Sequence, residues 1–219
     1  MGQKIHPHVL RLGTLFTWSS IWFNTKDYKT IVMQDYTLRF ALMEKLRFAG
    51  ISKVEIERSI NSIKIVPHVS RPGMVIGRAG TGLEELKKYI MSLLAQQGLK
   101  GKHVPKVEIN VETIKEPNLD AYLVAKNVSE QLLRRLPFKK VLNQSVERVM
   151  GSGAKGVKIL LSGRVAGSEI GRREKIHVGT VPLSTIRANI QYASYACLTK
   201  KGYIGIKVWI HVGSKGAKN

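Results

Sequence analysis

Gly77-Arg78-Ala79-Gly80 is the stretch whose residue types and spacing most directly suggest chemistry. Two glycines bracket a basic and a small residue, Arg71-Pro72-Gly73 precedes them, and a helical pattern opens directly afterwards at Leu83. Without a Cβ in the way, such a loop lets backbone amides come close to a sugar-phosphate chain. The N-terminus of the following helix adds unpaired N–H groups that favour anions. Arg71, Gly77, Arg78, Ala79 and Gly80 therefore read as a phosphate grip that leaves bases unread. Nucleotide-hydrolase and dinucleotide readings fail on detail. Gly77 to Gly82 has P-loop spacing, but Leu83-Glu84 stand where Lys and Ser or Thr are needed. A dinucleotide fingerprint beginning at Gly80 would need a further glycine where Glu85 stands.

Two more constellations carry charge. Arg134, Arg135, Lys139, Lys140 and Arg148 have few acids nearby, only Glu130 and Glu147, and read as a rail for an RNA strand. The plainer alternative is a solvated face of snorkelling side chains. Further on, Ser162-Gly163-Arg164, Arg172-Arg173, Lys175 and Arg187 place arginines beside flexible backbone, where they can reach phosphate bidentately. Charge that protects an edge strand explains this series equally well. Lys4 and Arg11 belong to an N-terminal stretch with Trp18, Trp22 and Phe23, either a packed arm or an extension that orders against RNA. Nothing is assembled for catalysis. His68, His103, His177 and His211 are dispersed, no carboxylate pair or cysteine cluster occurs, and His6-Pro7-His8 lacks further metal ligands. The expectation is a protein with no catalytic residues, metal or cofactor.

The totals agree with a nucleic-acid partner. Among 219 residues, 36 Lys and Arg face 15 Asp and Glu, a net charge of +21. So much charge of one sign repels itself unless a polyanion neutralises it, and each cation set on a phosphate releases a counterion. A membrane surface is the weaker partner, because no long basic amphipathic helix stands out. The single cysteine, Cys197, allows no internal disulfide, fits a reducing compartment and reads as a small core residue. No apolar run reaches membrane-span length, and Met1–Pro7 has no apolar signal core, so a soluble internal protein is expected.

The elements that must position these residues follow from periodicity. Asp35 reads as the cap of a helix striped by Leu38, Leu42, Leu46 and Ala49 that ends at Gly50. Val54 and Ile56, then Ile63 and Ile65, alternate as two strands around Asn61-Ser62. After the glycine loop, Leu83, Leu86, Ile90 and Leu93 stripe a helix, a flexible basic loop covers 98–102, and Val107, Ile109 and Val111 form a third strand. Lys115-Glu116-Pro117-Asn118 marks a hinge. Ala121, Val124, Val128 and Leu132 stripe the next helix, and a basic helix runs from Phe138 to Met150. Strands then follow at Val157–Leu161, Arg172–Ile176 and Ile204–Ile210. The fold class is α+β, the second domain having two helices and an antiparallel sheet. A G-x-x-G loop after a strand and before a helix, in so basic a chain, is the arrangement with which a KH module clamps a nucleic-acid backbone.

Several stretches together carry a closer likeness: Met1-Gly2-Gln3-Lys4-Ile5-His6-Pro7, Arg11-Leu12-Gly13, Arg71-Pro72-Gly73, Gly153-Ala154-Lys155-Gly156, Ser162-Gly163-Arg164, Val181-Pro182-Leu183-Ser184-Thr185-Ile186-Arg187-Ala188 and Gly205-Ile206-Lys207-Val208-Trp209-Ile210. Over essentially its whole length the chain resembles the bacterial type of the universal small-subunit ribosomal protein number three family. The resemblance implies an N-terminal arm over 1–26, a type-two KH domain over 27–116, an α+β domain over 117–214 and a short basic tail over 215–219. It implies a place in the head of the small subunit, on its ribosomal RNA, beside proteins ten and fourteen, with proteins two and five as further neighbours. Lys4, Arg11, Lys155, Arg164, Arg172, Arg173, Lys175 and Arg187 are the ribosomal-RNA candidates. Family members also line the messenger entry channel, which makes Arg134, Arg135, Lys139, Lys140 and Asn143 the messenger candidates. Lys139 and Lys140 stand where Arg is usual, without its bidentate fork, and Asn143 replaces a basic residue. The expected location is the cytoplasm, in a bacterial-type ribosome, whether of a bacterium or an organelle. A free KH factor, which would sediment away from ribosomes, and an RNA-processing enzyme, which would turn over substrate, are the rival readings.

Overall fold

The structure, a computed structural model, describes residues 4–96 and 106–213. The basic loop at 98–102, His103 and the tail at 215–219 lie outside the described residues. Trp18–Lys115 make one unit, and Glu116–Asn219 joined by Met1–Thr17 make the other. The stretch read as one arm over 1–26 is thus divided. Helix α1 (Pro7–Leu10) packs on the second unit, and strand β1 (Ser20–Ile21) pairs within the first.

The first unit continues with α2 (Tyr28–Lys45), β2 (Ile51–Arg58), β3 (Ser62–Val69), α3 (Pro72–Ile76), α4 (Thr81–Gln96), β4 (Lys106–Ile109) and β5 (Glu112–Thr113). Its sheet runs β1-β2-β3-β4, with β5 also on β3, and only the β2–β3 pair is antiparallel. A parallel β3–β4 pair needs a crossover, and α3 and α4 lie in that connection. The core joins Leu38 and Leu42 of α2 and Leu86, Ile90 and Leu94 of α4 to Val54, Ile56, Ile63, Ile65 and Val107 of the strands.

Two expectations change here. Asp35 is not a cap: α2 starts seven residues earlier, after Asp27, and Asp35 lies buried in mid-helix. Its Oδ1 accepts from Arg58 Nε at 2.7 Å and pairs with Nη2 at 2.5 Å, while Oδ2 accepts from Trp22 Nε1 at 2.8 Å. These partners come from β2 and the segment before α2, so local pattern could not reveal them. The second change is α3, a short helix between β3 and the glycine loop where strand was expected to lead straight into loop.

The second unit contains α5 (Ala121–Leu133), α6 (Phe138–Gly151), β6 (Ala154–Gly163), β7 (Arg172–Gly179), β8 (Ile190–Thr199) and β9 (Gly202–Val212). Asp120 caps α5, its Oδ1 accepting the N–H groups of Tyr122 at 2.9 Å and Leu123 at 3.1 Å. The antiparallel sheet is ordered β7-β6-β9-β8. Val124, Ala125 and Val128 of α5 and Val141, Leu142 and Val149 of α6 pack with Val157, Ile159, Leu161, Ile206 and Val208 of the sheet. Strand β8 has no clear sequence signature, because small and polar residues interrupt its alternation. Only pairing to β9 shows that Ala193, Tyr195 and Cys197 share the helix-facing side with Val208, Ile206 and Ile204. Cys197 is buried there, its Sγ 3.7 Å from the Ser129 carbonyl.

Removing one partner of a buried ion pair strands the other charge. Asp35→Ala should therefore lower stability by about 3–5 kcal/mol in urea unfolding near pH 7. A loss within about 0.5 kcal/mol would show that Arg58 and Trp22 do not depend on it.

Candidate nucleic-acid interface

The glycine loop joins two helices. Arg71 precedes α3, Gly77 ends it, and Arg78–Gly80 form a single 3₁₀ turn leading into α4. Gly77 has φ 71° and ψ −177°, a region open essentially only to glycine. A Cβ there would also sit 2.9 Å from the Gly82 nitrogen. Gly82 is tighter still, since its Cβ would lie 2.5 Å from the Val75 carbonyl oxygen. Gly77 and Gly82 thus let the end of α3 and the start of α4 touch backbone to backbone. Gly80 also has positive φ, at 84°, but its Cβ would meet open space. Arg71 and Arg78 are exposed beside this loop. Thr81 Oγ donates to the Arg78 carbonyl at 3.0 Å and fixes the turn.

The α5–α6 corner is the second basic feature. Arg135, with φ 59°, is one of two non-glycine residues of positive φ among the described residues. Its N–H donates to the Leu132 carbonyl at 2.9 Å, and the Leu136 N–H reaches back to Gln131 at 3.3 Å. Together these bonds make a Schellman ending, in which the position Arg135 holds is ordinarily glycine. Just beyond, Lys139 and Lys140 occupy the exposed first turn of α6, which contains no acid and has no side-chain cap. Cations at a helix N-terminus oppose the dipole, so a bound anion would relieve this arrangement. Asn143 and Arg148 are exposed further along the same helix. Among the described residues, Arg134, Arg135, Lys139, Lys140 and Arg148 enter no ion pair.

Phe138 joins the corner to the series further along the chain, because the Arg172 guanidinium lies over its ring at 5.6 Å. Arg172 also faces Glu174 at 3.6 Å. Register separates this residue from its neighbours. Arg172 pairs with Gly163 and shares the helix-facing side, whereas Arg173 and Lys175 pair with Ser162 and Leu160 on the opposite side. Arg164 is exposed and donates through Nε to the Ser168 carbonyl at 2.8 Å. Lys4, Lys155 and Arg187 are exposed. Lys155 stands where β6 and the end of β7 approach so closely that a Cβ on Gly156 would be 2.4 Å from the Thr180 carbonyl oxygen.

One candidate must be withdrawn. Arg11 is completely buried and cannot meet a phosphate. Its guanidinium donates to five backbone carbonyls, those of Pro7 at 2.9 Å, Ala188 at 2.8 Å, Pro182 at 3.3 Å, Leu183 at 3.0 Å and Thr185 at 2.9 Å. Burial pushes its pKa below the usual arginine value, while the carbonyl dipoles favour the charged form. Nearby, His6 Nδ1 accepts the His8 N–H at 3.2 Å, and His8 Nε2 accepts the Tyr192 N–H at 3.1 Å. His6 is exposed, and partial desolvation of its ring lowers its pKa. Phe138, Lys158 and Lys207 are the relevant residues that sequence reasoning did not select. The two lysines carried a usable signal, a charge at alternate positions in otherwise apolar strands.

The KH domain model matches residues 37–119, and the model of the ribosomal protein S3 C-terminal domain matches residues 128–210. The chain is 44% identical over 214 residues to small ribosomal subunit protein uS3 of Caldicellulosiruptor bescii, an alignment covering 97% of this chain and 93% of that protein. Identity to uS3 of Clostridium novyi is 42% with the same coverage. For uS3 of Exiguobacterium sibiricum it is 45% over 213 residues, covering 97% and 94%.

Arg11→Lys keeps the charge but replaces a planar fork with a point donor. It should cost about 2–4 kcal/mol in urea unfolding and make Arg187 an early site of tryptic cleavage; wild-type stability and cleavage would contradict the bracing role. Arg135→Gly relieves left-handed strain at the price of unfolded-state entropy. It should raise stability by about 0.5 kcal/mol, and a loss would mean that the Arg135 side chain itself supports the corner.

Proposed function

The chain belongs to the ribosomal protein S3 family, structural and non-enzymatic components of the small ribosomal subunit, and we propose that it holds RNA in the head of that subunit. The family assignment carries RNA binding and a role in translation. The finer reading has three parts. The glycine loop, with Arg71, Gly77, Arg78, Ala79 and Gly80, is a backbone grip within a KH module over 27–116. Lys4, Lys155, Arg164, Arg172, Arg173, Lys175 and Arg187 hold ribosomal RNA from the second unit, Arg172 also resting over the Phe138 ring. The α5–α6 corner tracks incoming messenger at the entry channel and helps to unwind it, with proteins ten and fourteen as protein neighbours in a cytoplasmic ribosome.

The observation that carries the messenger role is the corner itself. Arg134, Arg135, Lys139 and Lys140 are exposed on two successive helix ends, and Arg135 stands at a position that disfavours it. The helix ending requires the left-handed conformation but not an arginine in it, and a side chain held where glycine is preferred is a feature of functional sites. Such a corner can hold the phosphates of one strand and so favour its separation from its complement as the message is drawn past, without any chemical step of its own. Asn143 offers hydrogen bonds without charge, which makes Lys139 and Lys140 the principal contacts on α6.

Replacing both, as Lys139→Ala with Lys140→Ala, should leave subunit assembly intact and slow translation of messages with stable hairpins several-fold relative to unstructured ones. The salt dependence of affinity for a single-stranded RNA should become shallower by about two counterions. Equal translation of both message types would refute the unwinding role.

A further inference from the structure

Helices α5 and α6 cover only one face of the second unit's sheet, and strand register defines what the other face presents. Across β7, β6 and β9 one row reads Lys175, Leu160 and Lys207, and the adjacent row reads His177, Lys158 and Trp209. On the other side of the first row come Arg173, Ser162 and Gly205, followed on β8 by Ala196. Lys175, Lys207 and Arg173 are exposed, and Lys158 is half-buried over the Trp209 ring at 5.1 Å. None of these cations enters an ion pair among the described residues, and no residue on this face of the four strands is a carboxylate.

We propose that this open sheet face is a docking surface for double-stranded ribosomal RNA, bound through its phosphate backbone. The proposal rests on the ribosomal RNA-binding reading above and deepens it, adding Lys158 and Lys207 as contacts. Charge complementarity identifies the occupant. Lys175 and Lys207 flank Leu160 at about 10 Å between strands, and Lys158 stands about 7 Å along from Leu160, giving a grid of cations on a rigid floor. In the row that Arg173 opens, Ser162, Gly205 and Ala196 have only small side chains, so nothing bulky stands between a duplex and the strands there.

Two plainer explanations conflict with the register. Protection of sheet edges accounts for Arg173 and Lys175 on the outer strand β7 but not for Lys158 and Lys207 on the two central strands, and the other outer strand, β8, presents Tyr192, Ser194, Ala196 and Leu198. A surface charged for solubility mixes both signs, and this one has no acid. Base stacking is equally disfavoured across the grid. Trp209 is buried beneath Lys158, and Tyr192 packs against His6 at 4.8 Å, leaving Tyr203, at the hairpin end, and the small His177 imidazole as the exposed rings among the described residues of this face. Single-strand binding relies on exposed aromatic platforms, whereas duplex RNA is held by shape and phosphate contacts.

The test uses the full chain with two probes, a blunt RNA duplex and a single strand of the same composition, titrated over a range of salt. Lys175→Gln with Lys207→Gln should make the duplex salt slope shallower by about two and weaken duplex binding at least ten-fold at low salt. Binding of the single strand should stay within two-fold of wild type. Lys139→Gln with Lys140→Gln should show the opposite preference. Both pairs are exposed, and an unchanged unfolding midpoint would establish that the variants fold. A wild-type duplex slope in the Lys175/Lys207 variant would overturn this proposal alone, and equal losses on both probes would overturn its commitment to duplex. Failure of the wild-type chain to bind either probe would instead overturn the RNA-binding reading on which it rests.

Discussion

The second unit depends on a buried positive charge that has no carboxylate partner. Arg11 spreads its guanidinium over carbonyls of the N-terminal segment and of the 182–188 loop, closing a connection between residues more than 170 positions apart. Backbone carbonyls buried without donors would be costly, and a planar cation with five N–H groups suits a loop whose carbonyls converge. Once the loop is fixed, His211 can reach the Thr180 carbonyl at 2.9 Å and the Val212 N–H can donate to Asn189 at 3.0 Å. One arginine thus spends its hydrogen-bonding capacity on architecture and positions another, Arg187, at the surface.

The distribution of charge follows from that architecture. Each unit buries one face of its sheet under helices rich in Leu, Val and Ala. In a layered fold of this kind charged side chains are excluded from the inner face and collect on helix ends, connections and the uncovered sheet face. In the second unit the resulting positive surface has two textures. The α5–α6 corner presents exposed lysines on a helix N-terminus beside an arginine of positive φ. The sheet face presents cations fixed in spacing by strand pairing.

Much of this was legible in the sequence. Helices α4, α5 and α6 and strands β2, β3, β6 and β9 follow hydrophobic period, because their apolar stripes are packed by neighbours of ordinary shape. The glycine loop was legible for another reason: Gly77 and Gly82 answer to steric constraints that only glycine meets. Three features were not. Asp35 looked like a cap because Asp is a good cap, but Arg58 and Trp22 neutralise it inside a longer helix. Strand β8 hid behind its small residues. Arg11 looked like a phosphate contact because it is basic and lies in a basic segment.

Composition and spacing by themselves determined that this is a basic α+β protein with a G-x-x-G loop and two cores, because charge excess, turn chemistry and periodicity act locally or additively. Tertiary structure decided which cations remain free to bind. Arg11 is committed to backbone carbonyls, while Lys158, Lys175 and Lys207 come together on one face. That outcome depends on strand pairing between residues up to about 50 positions apart, and a one-residue slip in register would send every one of those side chains to the other side.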